Sequence, residues 1–263
     1  MVNHDILEPN QTSDLAAEDP GWNWLYKAGG WAALAAAILF RRNLAEEFLL
    51  FRSLGIIPSG PQAFPGSAAD WFALLHNHRL LGLTFLNVFD AVNYALAGLI
   101  FLSLYPALRR FNRGLMTLAM VLTFVAIAAY WAANEAFPML ALSDQYAAAT
   151  TEAQRSELLA AGRALLAIHN SGANYGNGPY VSFLFINVAG LVIATLMLQS
   201  HAFGRLTAYV GILANLFGLG YYLTLAKPTL SFIPLSLAAP FLLIWYILIG
   251  RKLLQLGSGV LKP

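Results

Sequence analysis

Residues 80–105 read LLGLTFLNVFDAVNYALAGLIFLSLY, and Asp90 is the only charge among them. A helix needs roughly 20 consecutive apolar residues to cross the hydrocarbon core of a bilayer, so this run predicts a membrane-spanning helix. A carboxylate in the middle of such a helix costs about 2.5–3.5 kcal/mol on insertion scales. A residue kept at that cost faces a bundle interior or a water-filled cavity, and it marks a candidate functional site.

The rest of the chain fits a membrane protein. Of its 263 residues, 59% are hydrophobic and only 11% charged, and the mean hydropathy is +0.62. Soluble domains carry roughly 25% charged residues, so there is too little polar surface here to cover a water-soluble globule. With no cysteine, disulfides, thiolate nucleophiles and cysteine-held metals are excluded. The net charge of +2 is spread over helix flanks and forms no Lys/Arg-rich stripe of the kind nucleic acids require. No segment alternates like a barrel strand. No internal or inverted repeat of the kind common in transporters is evident. The expected fold class is therefore all-α, a polytopic bundle of about six transmembrane helices.

The six expected spans are 22–40, 80–105, 115–133, 180–199, 206–226 and 233–250, preceded by a polar, acidic tail over 1–21 and followed by a tail over 253–263. The tail over 1–21 lacks a basic leader segment, so no cleavable signal is expected there. In the first span Gly29, Ala33 and Ala37 fall four apart, which lets a neighbouring helix approach closely. Pro240 lies inside the sixth span and predicts a kink. Trp22, Trp24, Tyr26, Tyr130, Trp131 and Tyr180 sit near span ends, as an interfacial aromatic belt requires.

Short basic connections follow spans two (Arg109, Arg110, Arg113) and four (His201, Arg205), and Arg251, Lys252 and Lys262 follow span six. The positive-inside rule then places both termini in the cytoplasm. The long connections 41–79 and 134–179 fall on the opposite side. Ser67 with Asp70 reads as an N-cap opening a helix toward span two. Thr151 with Gln154 reads as a capping box. After it, Leu158, Leu159, Leu165 and Leu166 share one face opposite Glu152, Arg155 and Arg163. This is an amphipathic helix of about four turns, either lying on the membrane or packing between spans. The stretch 172–178 reads as a glycine-rich turn feeding Pro179.

Two constellations could carry chemistry. Within span two, Asn87, Asp90 and Tyr94 fall on one helical stripe with Asn93 alongside. Asn187 in span four and Asn215 in span five lie near mid-depth. These groups could bind a cation, relay protons, or hold helices together by hydrogen bonds. On the outer side, His76, His78, Glu135 and His169 could in principle gather around a metal. The spacing of His76 and His78, two residues apart, points them in different directions on a helix. No nucleophile elbow or phosphate-binding loop is present. Neither a cofactor, a resident metal nor a catalytic residue is expected.

The stretch FDAVNYALAGLIFLSLYPALRR around Asp90 and FPMLALSDQYAAATTEAQRSELLAAGRALLAI from Phe137 to Ile168 resemble an uncharacterised prokaryotic membrane family, domain of unknown function 4386. Asp90, Asn93 and Tyr105-Pro106-Ala107-Leu108 match its mixture of an acid, an asparagine and a closing Tyr-Pro-x-Leu before basic residues. The resemblance covers about residues 80–250. It implies a polytopic helical protein of the bacterial or archaeal cytoplasmic membrane, and it supplies no activity.

Two functions from different classes follow as expectations. One is an accessory, scaffold or regulatory component of a membrane assembly, favoured by the lack of a catalytic constellation and by glycine- and alanine-rich faces suited to helix docking. Its partners are the lipid bilayer and other membrane-protein subunits. The other is a small transporter, or a protein handling protons or cations, that uses Asp90. A membrane enzyme with an outer-face His/Glu metal site comes third.

Overall fold

The computed structural model describes residues 20–42, 65–170, 178–200, 202–224, 227–230 and 232–258. The acidic tail through residue 19 and the glycine-rich turn after residue 170 lie outside them. Among the described residues the elements are helices: α1 (Asn23–Arg42), α2 (Ala68–Asn77), α3 (Arg79–Phe85), α4 (Val88–Leu108), α5 (Arg113–Ala133), α6 (Ala136–Ala148), α7 (Glu152–Asn170), α8 (Gly178–Gln199), α9 (Arg205–Gly220) and α10 (Phe232–Gly257), with short 3₁₀ turns at Pro20–Trp22, Tyr221–Thr224 and Pro228–Leu230.

Five stretches are long and apolar enough to cross a membrane: Val88–Leu108, Arg113–Ala148, Gly178–Gln199, Arg205–Thr224 and Ile233–Gly257. The protein is a multi-pass membrane protein. The packing agrees. Its buried positions are rich in alanine, while Leu115, Leu118, Val121, Phe124, Ile244 and Leu206 are exposed. Small residues inside and large apolar residues outside are what lipid-immersed helices require. The first expected span is the exception. α1 is 20 residues long but is not among the five, because Asn23, Lys27 and the Gly29-Gly30 pair dilute its apolar residues. The sixth span runs past its expected end: Arg251 and Lys252 belong to α10 itself.

The chain forms two compact units, Met1–Ile38 with Leu96–Phe124 and Phe185–Pro263, and Leu39–Ala95 with Val125–Leu184. The first is held by close helix approach. A Cβ on Gly190 would collide with Asn215, one on Gly218 with Asn187, and one on Gly211 would meet Ala194 at 2.9 Å. These three pairs step in opposite directions along α8 and α9, so the two helices run antiparallel. Each carries a buried asparagine seated over a glycine of the other. The Phe217 and Phe241 rings stack at 5.7 Å, and Trp245 lies over Gly211, which makes α9 and α10 antiparallel as well. α1 lies along α10, where a Cβ on Gly250 would be 3.1 Å from Gly30 O and 3.2 Å from Ala33. The expected Gly29, Ala33, Ala37 face is thus used inside the chain: Gly29 lies against Ser103 of α4, and Ala33 and Ala37 are buried. The Ser103 hydroxyl is 2.9 Å from Leu25 O of α1 and 2.6 Å from Leu99 O of its own helix.

The second unit assembles α2, α6 and α7 around Trp71, Phe72, Leu75, Met139 and Leu166. Both caps read from the sequence are present. Ser67 Oγ accepts from Asp70 N at 3.2 Å. Thr151 Oγ1 accepts from Gln154 N while Gln154 Oε1 accepts from Thr151 N, both at 3.3 Å. In α7 the Leu158, Leu159, Leu165, Leu166 face packs into this core, and a Cβ on Gly162 would stand 2.7 Å from the Phe72 ring. The amphipathic helix is therefore a packing element. α6 was not anticipated. Its Pro138 sits in the first turn, where no intrahelical N–H bond is lost. Ser143 donates to Phe72 O at 2.9 Å across the α2–α6 interface, and Arg79 pairs with Asp144 at 2.6 Å to join α3 to α6.

Candidate functional site

The run 80–105 is not one helix. α3 ends at Phe85, and α4 starts at Val88. Between them Asn87 adopts φ +59°, the left-handed region that asparagine enters more readily than other residues with a side chain. Asn87 N donates to Thr84 O at 3.0 Å, closing α3. Asn87 O accepts from Asp90 N at 3.2 Å and Ala91 N at 3.4 Å, opening α4. Asp90 consequently lies in the first turn of α4, not at the middle of a span, and Asn87 precedes the helix instead of sharing a stripe with Asp90 and Tyr94.

Helix breaks leave backbone groups in need of partners. Here α5 and its junction with α6 supply them. Asn134 Nδ2 lies 3.4 Å from both Leu86 O and Asn87 O, and Asn134 Oδ1 accepts from Ala136 N at 3.1 Å, starting α6. The Trp131 indole N–H donates to Ala91 O at 3.0 Å. Tyr94 stacks on Tyr130 with centroids 4.3 Å apart and planes 17° from parallel. The start of α8 closes in from another direction: a Cβ on Gly178 would collide with Ala129 O and Ala133 Cβ.

Asp90 is half-buried in this setting. Its carboxylate, the Glu135 carboxylate and the Asn134 amide all act on the Tyr130 hydroxyl. Asn93, one turn along, has its Oδ1 buried and without a hydrogen-bond partner in the protein. Asp90, Asn93, Tyr94, Tyr130, Asn134 and Glu135 thus occupy one neighbourhood of the second unit. Asn187 and Asn215 belong to the first unit, where they serve the α8–α9 contact; Asn215 Nδ2 also donates to Gly211 O at 2.7 Å.

Among the described residues the expected outer-face cluster forms no metal site. His76 lies in the last turn of α2 and His78 at the junction of α2 and α3, and both are exposed. Glu135 caps α6. His169 falls in the final turn of α7, and its side chain lies outside the described residues. Among the described residues no group of three or more His, Asp or Glu could hold a metal. What the sequence did not reveal is the break at Asn87 and the part of Trp131 and Asn134 in bracing it. The available signal was an asparagine, tolerant of positive φ, inside an otherwise apolar run.

No family model matches the chain, and no match was found among curated proteins or solved structures.

Proposed function

We propose that the protein is a membrane protein of the ion- or proton-handling kind, with Asp90 as the group that takes up the cation or proton. The observation that supports it is the interruption at Leu86-Asn87, directly before a half-buried carboxylate. Where a membrane helix is broken, the carbonyl end of one piece and unwound backbone oxygens become available to cations, and irregular backbone at membrane depth is tolerated where it is buried in protein or lines a cavity. The carbonyl end of α3 and Asp90 in the first turn of α4 lie on either side of the break, and the negative charge of both suits a positive ligand. The resemblance to the prokaryotic membrane family rests on the residues quoted for it and supports a cytoplasmic-membrane location. The basic residues Arg109, Arg110, Arg113, Arg205 and Arg251 support both termini inside by the positive-inside rule, which requires α1 to cross as well.

The accessory-subunit function loses one of its two supports, because the Gly29, Ala33, Ala37 face that suggested docking is occupied within the first unit. A purely local role for Asp90 is its competitor. A carboxylate in the first turn of a helix stabilises the helix by about 0.3–1 kcal/mol through the macrodipole.

The two roles separate in proteoliposomes carrying an internal pH dye and imposed Na⁺, K⁺ or proton gradients. Asp90→Asn should abolish flux while shifting the unfolding midpoint little, and Asp90→Glu should retain part of the flux. Equal flux from Asp90→Asn and the unaltered protein under every gradient would leave only the local role.

A further inference from the structure

We propose that the corner joining α4 to α5 binds the phosphate headgroup of an anionic phospholipid. Arg109 and Arg110 stand exposed just beyond α4, and exposed Arg113 opens α5. The Arg109 guanidinium lies 5.6 Å from the Trp22 ring and 5.9 Å from the Tyr105 ring. Aromatic faces at this range hold a guanidinium in place through cation–π attraction, so Arg109 is oriented before any ligand arrives. The positive charge of Arg113 acts on the Tyr105 hydroxyl, which is 3.4 Å from Thr117 Oγ1. Two guanidinium groups are thereby gathered around one tyrosine, and a planar guanidinium fork matches phosphate oxygens better than a lysine ammonium does.

Charge distribution provides the second argument. All carboxylates among the described residues (Asp70, Asp90, Glu135, Asp144, Glu152, Glu157) belong to the second unit. In the first unit carboxylates occur only within residues 1–19, outside the described residues. The two ion pairs seen among the described residues, Arg79–Asp144 and Arg155–Glu152, both lie in the second unit. Yet the first unit collects cations at one end. The antiparallel courses of α1, α9 and α10 bring Lys27, Arg205 and Arg251 to the same end as Arg109 and Arg113. Among the described residues no carboxylate of the first unit accompanies these cations, so that end presents an exposed positive surface to an anion. Leu102, Leu115 and Leu118 are exposed beside the arginines, which suits acyl chains directly below. At the depth where apolar surface gives way to arginine and aromatic rings, the abundant anion is the lipid phosphodiester.

The test uses the full chain in zwitterionic detergent, titrated with phosphatidylglycerol or phosphatidylcholine, with bound lipid counted by native mass spectrometry. Phosphatidylglycerol should bind on the order of ten-fold tighter than phosphatidylcholine. Arg109→Gln and Arg113→Gln should each weaken it about five-fold, the effect of one basic residue near an anionic surface, with phosphatidylcholine unchanged. Arg163→Gln, an exposed cation on α7, should change nothing. Arg109→Lys keeps the charge without the planar fork and should still lose affinity, which covers the case of a misfolded Gln variant. Equal binding of the two lipids, an Arg163→Gln effect as large as that of Arg109→Gln, or an unaltered Arg109→Lys would overturn the proposal. Displacement of the lipid by millimolar glycerol phosphate would do so too, by assigning the site to free phosphate.

Discussion

Substitutions at Asn87 test the break on which the candidate site depends. Asn87 is exposed, so replacing it changes backbone energetics more than packing. Its φ of +59° costs a residue with a Cβ about 1–2 kcal/mol, less for asparagine, and costs glycine nothing. Glycine loses about 0.5–1 kcal/mol more chain entropy on folding, so Asn87→Gly should come out near neutral. Asn87→Ala should cost about 1 kcal/mol and β-branched Asn87→Val about 2 kcal/mol. In an uninterrupted helix the order would reverse, with alanine the best residue and glycine worse by about 1 kcal/mol. Reversible unfolding of the four proteins in a mild detergent with rising SDS resolves differences of that size. A stability order with Ala above Gly at position 87 would refute the break, and with it the placement of Asp90 in a first turn. The same series should carry the function: flux retained in Asn87→Gly and lowered in Asn87→Val.

Three further outcomes follow from particular contacts. Gly190→Ala drives a methyl into Asn215, whose amide is already committed to Gly211 O; overpacking of this kind costs about 1–3 kcal/mol. Adding Asn215→Ala should recover a large part of that loss in a double-mutant cycle, and a neutral Gly190→Ala would show that α8 and α9 do not approach as described. Thr151→Ala removes the capping box of α7 and should cost about 1 kcal/mol, read as faster amide exchange over the first turn of α7, with unchanged exchange counting against the cap. Asn134→Leu removes the donor beside Leu86 O and Asn87 O and should reduce flux as Asn87→Val does; full activity would show that the break does not need this brace.

Much of the fold was legible because membrane helices announce themselves by length and apolarity. The spans at 115–133, 180–199 and 206–226 coincide with α5, α8 and α9 to within a few residues, apart from the last, whose helix gives way to a 3₁₀ turn at Tyr221. The Ser67 and Thr151 caps were legible for a different reason: each needs only residues three apart, so no distant partner decides it. Gly29, Ala33 and Ala37 announced a close helix contact, but not its partner, since a small face suits a neighbour in the same chain and one in another subunit equally well. That ambiguity is why the sequence alone favoured docking and the structure places those residues inside the first unit. α1 reads as a span by its alanines and leucines, while Asn23, Lys27 and two glycines make it less apolar than the other five.

The run at 80–105 failed for an instructive reason. Its apolar periodicity is the same whether the chain makes one helix or two, so periodicity carries no information about the break. A single asparagine is a weak local preference, smaller than the backbone hydrogen bonds an interruption gives up. What makes the break possible is a pair of donors 40 or more positions along the chain, Trp131 to Ala91 O and Asn134 beside Leu86 O and Asn87 O. Those donors supply polar partners to the carbonyls freed where α3 ends and α4 begins. α4 alone is long enough to span, so the break before it and the two donors that brace it serve something other than crossing the bilayer. Keeping a tryptophan N–H and an asparagine amide to support an interruption next to the only charge in the run is costly for a spacer and useful for a site, which is why Asp90 is the residue on which function should be tested first.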